Sequence, residues 1–238
     1  MKTLYEGGSA YTSKVASTYE SDRKDEEHWQ FEHAFIENYF MGNHVQSILD
    51  IPIGTGRFIS LYPHGADIVG MDISPAMLVE ARKKVGFNNS NLVRLIEGDA
   101  TNLHQLPAKS VEIIVCFRLL HLVQDEIRRA ILAEFARVFS GRLLLQVYIS
   151  EPDTRSKRSF VWLKLKAFIY FSRSILQFVL PSKRKPWHHI KSYKLEMVTL
   201  EKLLEQTNLK IIRKNLLCRY LNEDVYVIEI AHLNDPHD

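Results

Sequence analysis

From residue 45 to residue 149, short apolar runs alternate with longer segments whose apolar residues recur at helical spacing. That alternation narrows the fold more than any other feature of the chain. The runs at 45–51, 67–72, 92–97, 111–117 and 142–149 have the length of strands. The fourth is nearly all apolar, as expected of a strand covered on both faces. Between the runs, 57–61 opens a short helix, and 75–84 forms a helix that Ser74 can cap with Pro75 in its first position. Residues 125–139 place Ile127, Ile131, Phe135 and Val138 on one helical face, with Gly141 reading as the stop. Such regularity predicts a parallel sheet with helices on both sides. A further helix at 198–206 precedes two long apolar runs, 209–218 and 225–232, separated by the turn-like Asn222-Glu223-Asp224. Those two runs predict an antiparallel pair closing one edge. The expected fold is α/β: a doubly wound, mostly parallel, seven-stranded sheet with a C-terminal antiparallel hairpin.

Ahead of the alternation, residues 11–40 read as helical, with Val15, Tyr19, Phe31, Phe35, Ile36 and Phe40 as apolar positions and Gly42-Asn43 as the stop. The expected organisation is an N-terminal helical segment (1–44), an α/β core (45–150), an insertion (151–195), and a C-terminal helix and hairpin that complete the core (196–238). The insertion differs in charge. It holds eleven Lys or Arg and two acids, so it carries the basic character that a whole-chain charge of +3 conceals. Within it, Trp162, Leu165, Phe168, Ile169, Ile175 and Phe178 fall on one helical face, with Lys164, Lys166 and Arg173 around it. One reading is a cover whose apolar face packs on the core and whose lysines are solvated. Others are a surface for an anionic or lipid-linked acceptor, peripheral contact with an anionic membrane, single-stranded nucleic acid, or a protein partner. No apolar run approaches the roughly 20 residues needed to span a bilayer, and the N-terminus lacks the apolar core of a signal peptide. Together with Cys116 and Cys218, which read as buried free thiols, this points to a cytoplasmic protein.

The stretch LDIPIGTGRF, at 49–58, carries the first chemistry. An apolar strand delivers Asp50, and the chain then turns through Gly54 and Gly56. The dinucleotide pattern G-x-G-x-x-G is incomplete, because its third position is Ile59, and that glycine normally lets helix and strand pack closely beneath a pyrophosphate. A nucleoside without phosphate needs less: room along the turn and an acceptor for ribose hydroxyls at the end of the next strand. Asp72 stands there, since a carboxylate can accept from both hydroxyls of a vicinal diol. Asp99, ending the third strand, can accept from an exocyclic adenine amine. All three carboxylates fall at carboxyl ends of strands, where ligands bind in open parallel sheets. Each also has a plainer reading, as a helix cap or a tight turn.

Taken together, ILDIPIGTGRF, VGMDISPAMLVEARKK, IEGDATNLHQLP and VEIIVCFRLLHLV, in this order and spacing, resemble the class I S-adenosylmethionine-dependent methyltransferases. The resemblance runs from residue 45 to 149 and resumes from 199 to 230. It implies S-adenosylmethionine as cofactor, with Asp50, Gly54 and Gly56 along its methionine part. It implies Asp72 on the ribose, Ile73 and Met77 near the adenine, Asp99 and Ala100 at the adenine edge, and Phe117 beneath the sulfonium. Tyr19 and Arg23 resemble an N-terminal element that closes over the cofactor. The family's usual first glycine of the turn is Pro52 here, followed by Ile53. Proline lacks an N–H, so this stretch must bind through carbonyls and shape.

For the transfer itself, His121 is a candidate base, its other reading being a polar residue packed in a loop-to-helix turn. Tyr148, near the end of the fifth strand, is a candidate substrate contact, as are Trp187, His188 and His189. Amino methyltransferases that act on nucleic-acid bases carry Asn or Asp followed by two prolines after the fourth strand. This chain reads CFRLLH there, which disfavours nucleic acid as the acceptor. The function expected is methyl transfer to an oxygen or nitrogen of a small or lipid-linked, acidic acceptor. Its alternatives are a non-catalytic binding module on the same fold and an NAD-dependent oxidoreductase.

Overall fold

The computed structural model describes residues 11–85, 92–150 and 192–234. The aromatic and basic positions of 151–191, including Trp187, His188 and His189, lie outside the described residues.

The chain begins with two helices, α1 (Ser13–Arg23) and α2 (Glu27–Phe40), where the sequence reads as one helical stretch. The break falls at the charge-dense residues 24–26, where Glu26 is extended and Arg23 reaches it at 3.5 Å. The face that α2 buries also differs from the apolar one expected. Residues spaced by four, His28, Glu32, Ile36 and Phe40, are buried, whereas Phe31 is exposed. Then follow β1 (Ser47–Asp50), β2 (Asp67–Asp72), α3 (Pro75–Val85), β3 (Leu92–Glu97), β4 (Val111–Cys116), α4 (Asp125–Val138), β5 (Phe139–Ser150), α5 (Met197–Gln206), β6 (Leu209–Tyr220) and β7 (Glu223–His232). A 3-10 turn at Ile59–Leu61 replaces the short helix expected from 57, and a second lies at Leu120–Leu122.

Seven strands form one sheet in the order β3-β2-β1-β4-β5-β7-β6. The first five pair in parallel, and β7 runs antiparallel to both β5 and β6. Strand periodicity divides the core between two faces. Leu49, Ile114, Cys116, Leu143 and Leu145 pack with Ile131, Leu132 and Phe135 of α4 and Leu200 of α5. Their neighbours Ile48, Ile113, Val115 and Leu144 pack on the other side with Ile36 and Phe40 of α2. Ser74 caps α3 as expected, its hydroxyl accepting from Met77 N at 3.4 Å.

Two local expectations change. Gly141 does not end α4, because the helix passes into β5 at Phe139 and Gly141 lies inside the strand. A Cβ there would stand 2.8 Å from Glu112 O, so the glycine permits the close approach of β4 at its register shift. The β6–β7 turn comes earlier than expected, at residues 221–222, with Leu221 at a φ of 56°. Among the described residues neither cysteine is in a disulfide, and Cys218 is only half-buried.

Candidate active site

The carboxyl ends of β1, β2 and β4 open onto a cleft with an empty volume of about 980 Å³, its mouth included. Gly54 adopts a φ of 56°, and a Cβ added there would meet nothing within 4 Å. The glycine thus serves a left-handed turn that leaves space on the cleft side. Asp72 fixes this turn: Gly54 N donates to its Oδ2 at 2.9 Å, and Ser74 N donates to its Oδ1 at 2.8 Å. Capping and ligand reach are therefore compatible in one residue, since each carboxylate oxygen can accept more than one hydrogen bond. Burial raises the Asp72 carboxyl to about 6, against the pull of those backbone donors. Ile59, in place of a third glycine, is buried, and its Cδ1 stands 2.6 Å from where a Cβ of Gly56 would be.

Asp50 is the more unusual group. It is buried, Tyr62 Oη donates to its Oδ2 at 2.7 Å, and no cation among the described residues forms an ion pair with it. Burial pushes its pKa up to about 7, with Tyr62 and the more distant Arg57 pulling the other way. Asp99 accepts from Thr101 N and Oγ1 through Oδ1, at 2.9 and 2.8 Å. Ile73, Met77, Asp99, Ala100, Phe117 and Tyr19 also line this cleft. Phe117 is braced edge-on by Phe58, ring centroids 5.2 Å apart.

A second cleft adjoins the first, sharing Tyr11, Tyr19, Arg118 and Leu122 with it. His121 and Tyr148 lie here, rings 4.6 Å apart, and so does Arg23, which does not line the first cleft. The helix-α1 pair is therefore divided: Tyr19 touches both spaces and Arg23 only the second. Burial, then Arg118, lowers the His121 pKa to about 3. Burial lowers that of His28 to about 4.

Behind both clefts is an ionic cluster that the sequence did not single out. Glu32 is fully buried and pairs with Arg57 and with Arg118, whose Nε lies 3.1 Å from both carboxylate oxygens. Gln146 Nε2 also donates to Glu32. Both guanidiniums lie over the Trp29 ring, 3.9 Å away for Arg57 and 4.9 Å for Arg118. The buried Nη1 of Arg57 has no hydrogen-bond partner. The feature that could have flagged it is the four-residue spacing that places His28 and Glu32 in line with Ile36 and Phe40.

Residues 48–141 match the family model described as a methyltransferase domain. The fold is shared with the magnesium protoporphyrin IX methyltransferase of Synechocystis with bound SAH, at a TM-score of 0.63 and 17% identity over 94% of this chain and 96% of that one. The matched segment is a methyltransferase domain, and the chain around it has the class I S-adenosylmethionine-dependent methyltransferase fold. A putative methyltransferase in complex with the Trm112 activator from Haloferax volcanii aligns at a TM-score of 0.65 and 13% identity, over 97% of this chain and 99% of that one. In sequence, the methyltransferase domain is 29% identical over 110 residues to the thiol S-methyltransferase TMT1B of Rattus norvegicus, covering 45% of this chain. It is 33% identical over 92 residues to the phosphatidylethanolamine N-methyltransferase of Cereibacter sphaeroides, covering 38% of this chain. Each match spans 44% of the curated relative's length.

The cofactor of this methyltransferase family is S-adenosylmethionine, which carries an ammonium, a carboxylate, a ribose diol and an adenine. The first cleft fits such a molecule. It offers a buried carboxylate without a paired cation, a buried guanidinium nitrogen without a partner, open space at Gly54 and two further strand-end carboxylates.

Proposed function

We propose that the chain is a methyltransferase that moves the methyl group of S-adenosylmethionine to a heteroatom of a small or lipid-linked, acidic acceptor. The observation that carries this reading is Asp50, a buried carboxylate with no ion-pair partner among the described residues, facing a cleft beside a left-handed glycine turn. In water-excluded surroundings such a group attracts an ammonium strongly. Asp50 would hold the ammonium of the methionine part, and Gly54 would keep the turn clear of it, whereas Gly56 does not line the cleft and lets the turn pack against Ile59 and Ala81. Asp72 would take the ribose hydroxyls on its remaining lone pairs, and Asp99 the adenine amine through Oδ2. Ile73, Met77 and Ala100 would flank the ring.

The bound cofactor supplies an electrophilic methyl group on a sulfonium. This chain's contribution is alignment and exclusion of water, which together supply much of the acceleration in a direct displacement. Phe117, in the wall of the first cleft and braced by Phe58, would shield the transfer point. Tyr19 would cover it from α1. The acceptor would enter the second cleft, with His121 and Tyr148 as its contacts. The printed acceptors of the relatives, a thiol and phosphatidylethanolamine, are small or lipid molecules. The basic character of 151–195 supports an acidic acceptor and contact with an anionic membrane surface. Among the described residues no helix is long and apolar enough to cross a membrane.

Calorimetry with S-adenosylhomocysteine and NADH tests the reading. The former should bind to the wild type and bind far more weakly to Asp72→Ala. Preference for NADH, or no binding of S-adenosylhomocysteine, sinks it. For the membrane part, failure of anionic vesicles to retain the protein at low salt removes surface association.

A further inference from the structure

We propose that the acceptor reacts as an anion, a thiolate or aryl oxide on an apolar body, held against Arg118 where the two clefts meet. This rests on the methyltransferase reading above and narrows it to a class of nucleophile.

Arg118 follows Phe117 at the end of β4 and lines both clefts. Its φ of 59° is left-handed, a conformation strained for a residue other than glycine. Gln146 Oε1 holds it there, accepting from Arg118 N at 2.9 Å. The guanidinium is then fixed from behind by Glu32 and from the side by Glu26, 3.3 Å from Nη1. It is thus a rigid cation, delivered by a strained residue to the point where an acceptor meets the cofactor.

The other charged or titratable groups around the second cleft come from every element that walls it. Tyr11 precedes α1, Tyr19 and Arg23 come from α1, Glu26 from the α1–α2 connection, His28 from α2, His121 from the second 3-10 turn, Tyr148 from β5, Tyr220 from β6 and Glu223 from β7. Glu26 is occupied by Arg23, Arg118 and His28. Glu223 accepts from the Ser150 hydroxyl at 2.8 Å. At His121 the balance is positive, with Arg118, Arg23 and Arg128 acting against Glu32.

Two consequences follow. Burial and the neighbouring guanidiniums depress both histidines, to about 4 and about 3, which makes them weak proton acceptors at neutral pH and favours an acceptor that arrives already ionised. An amine would instead become a cation beside Arg118, which raises its barrier. Tyr11, Tyr19, Tyr220, Leu122 and Leu221 supply walls suited to an aromatic or aliphatic body. In the transfer, a lone pair of the anionic sulfur or oxygen forms the bond to the methyl carbon. The carbon–sulfonium bond breaks with its electron pair remaining on sulfur. The acceptor loses its negative charge, the cofactor loses its positive charge, and no proton moves in that step.

The test uses the full chain saturated with S-adenosylhomocysteine, whose binding is measured first and separately. Its failure there would count against the methyltransferase reading itself. 4-Nitrophenol is then added below its own pKa, and its visible phenolate band is followed alongside binding of the amine isostere 4-nitroaniline. Bound phenol should appear as phenolate, its pKa lowered enough to raise the ionised fraction at least tenfold, and the aniline should bind at least tenfold more weakly. Arg118→Lys should keep the phenolate band and Arg118→Gln should lose it. If the glutamine variant does not fold, the wild-type comparison still decides. Binding as neutral phenol, equal or tighter binding of the aniline, or no binding of either probe to the loaded protein overturns the inference.

Discussion

If Asp50 holds the cofactor's ammonium, cofactor affinity must follow its ionisation. The carboxyl sits near 7 because burial outweighs the opposing pull of Tyr62 and Arg57. From about pH 8 to about pH 6 its ionised fraction falls roughly tenfold, so the dissociation constant should rise about tenfold, or ~1.4 kcal/mol. Asp72, near 6, adds about a further factor of two at the acidic end. The sense is that of an acid needed in its charged form, with binding lost as pH falls through the folded-state value. Stability of the free protein is a poor substitute for this measurement. The raised Asp50 value makes the ligand-free fold less stable as pH rises from the ordinary carboxylate range toward 7. His28 and His121, depressed from 6.5, act oppositely, their contribution being lost as pH falls from 6.5 toward their folded values. Calorimetric titration of S-adenosylhomocysteine across this range is therefore the assay. Asp50→Asn should bind weakly and keep only the shallow slope of Asp72. A flat profile in the wild type, or an undiminished slope in Asp50→Asn, would refute the reasoning.

Glu32→Ala leaves two buried guanidiniums without their shared carboxylate and should cost about 3–5 kcal/mol in urea denaturation. Arg128 is almost fully buried and donates to the carbonyls of Leu120, Tyr193 and Lys194 as well as to Asp125. Arg128→Met should lower stability by roughly 3 kcal/mol through those orphaned acceptors, as read by the denaturation midpoint at unchanged slope. Gly54→Ala places a Cβ in open space, so its stability loss should be only about 1–2 kcal/mol, from the left-handed backbone. Its cofactor affinity should fall more steeply than that, and equal losses would mean the turn does not face the ligand.

The sheet was legible because apolar runs of strand length carry their own period, and β2 and β3 fall at the expected residues. The same held for the strand-end positions Asp50, Asp72 and Asp99, which the parallel sheet gathers at one rim. The buried charges were not legible. Glu32 and His28 look like the solvated face of an amphipathic helix until Arg57 and Arg118, from distant loops, arrive to pair with them. Phe31 was misread for the complementary reason, since an aromatic residue tells little about which side of a helix has a neighbour. Gly141 looked like a helix stop because the requirement it meets, the nearby carbonyl of Glu112, lies on another strand.

Helix α1 buries little apolar surface, Val15 and Ala16 being its buried residues. What ties it down is polar: Glu20 bonds Thr55 of the glycine turn and pairs with Lys84 of α3, and the Ser74 hydroxyl donates to Tyr11 O at 3.0 Å. Dispersion and area hold the sheet, but ions and hydroxyls hold the helix that roofs the first cleft. Salt weakens the second kind of attachment and scarcely touches the first. The time a ligand stays under that roof is therefore set by a different variable from the temperature at which the protein melts, and the two can be tuned apart.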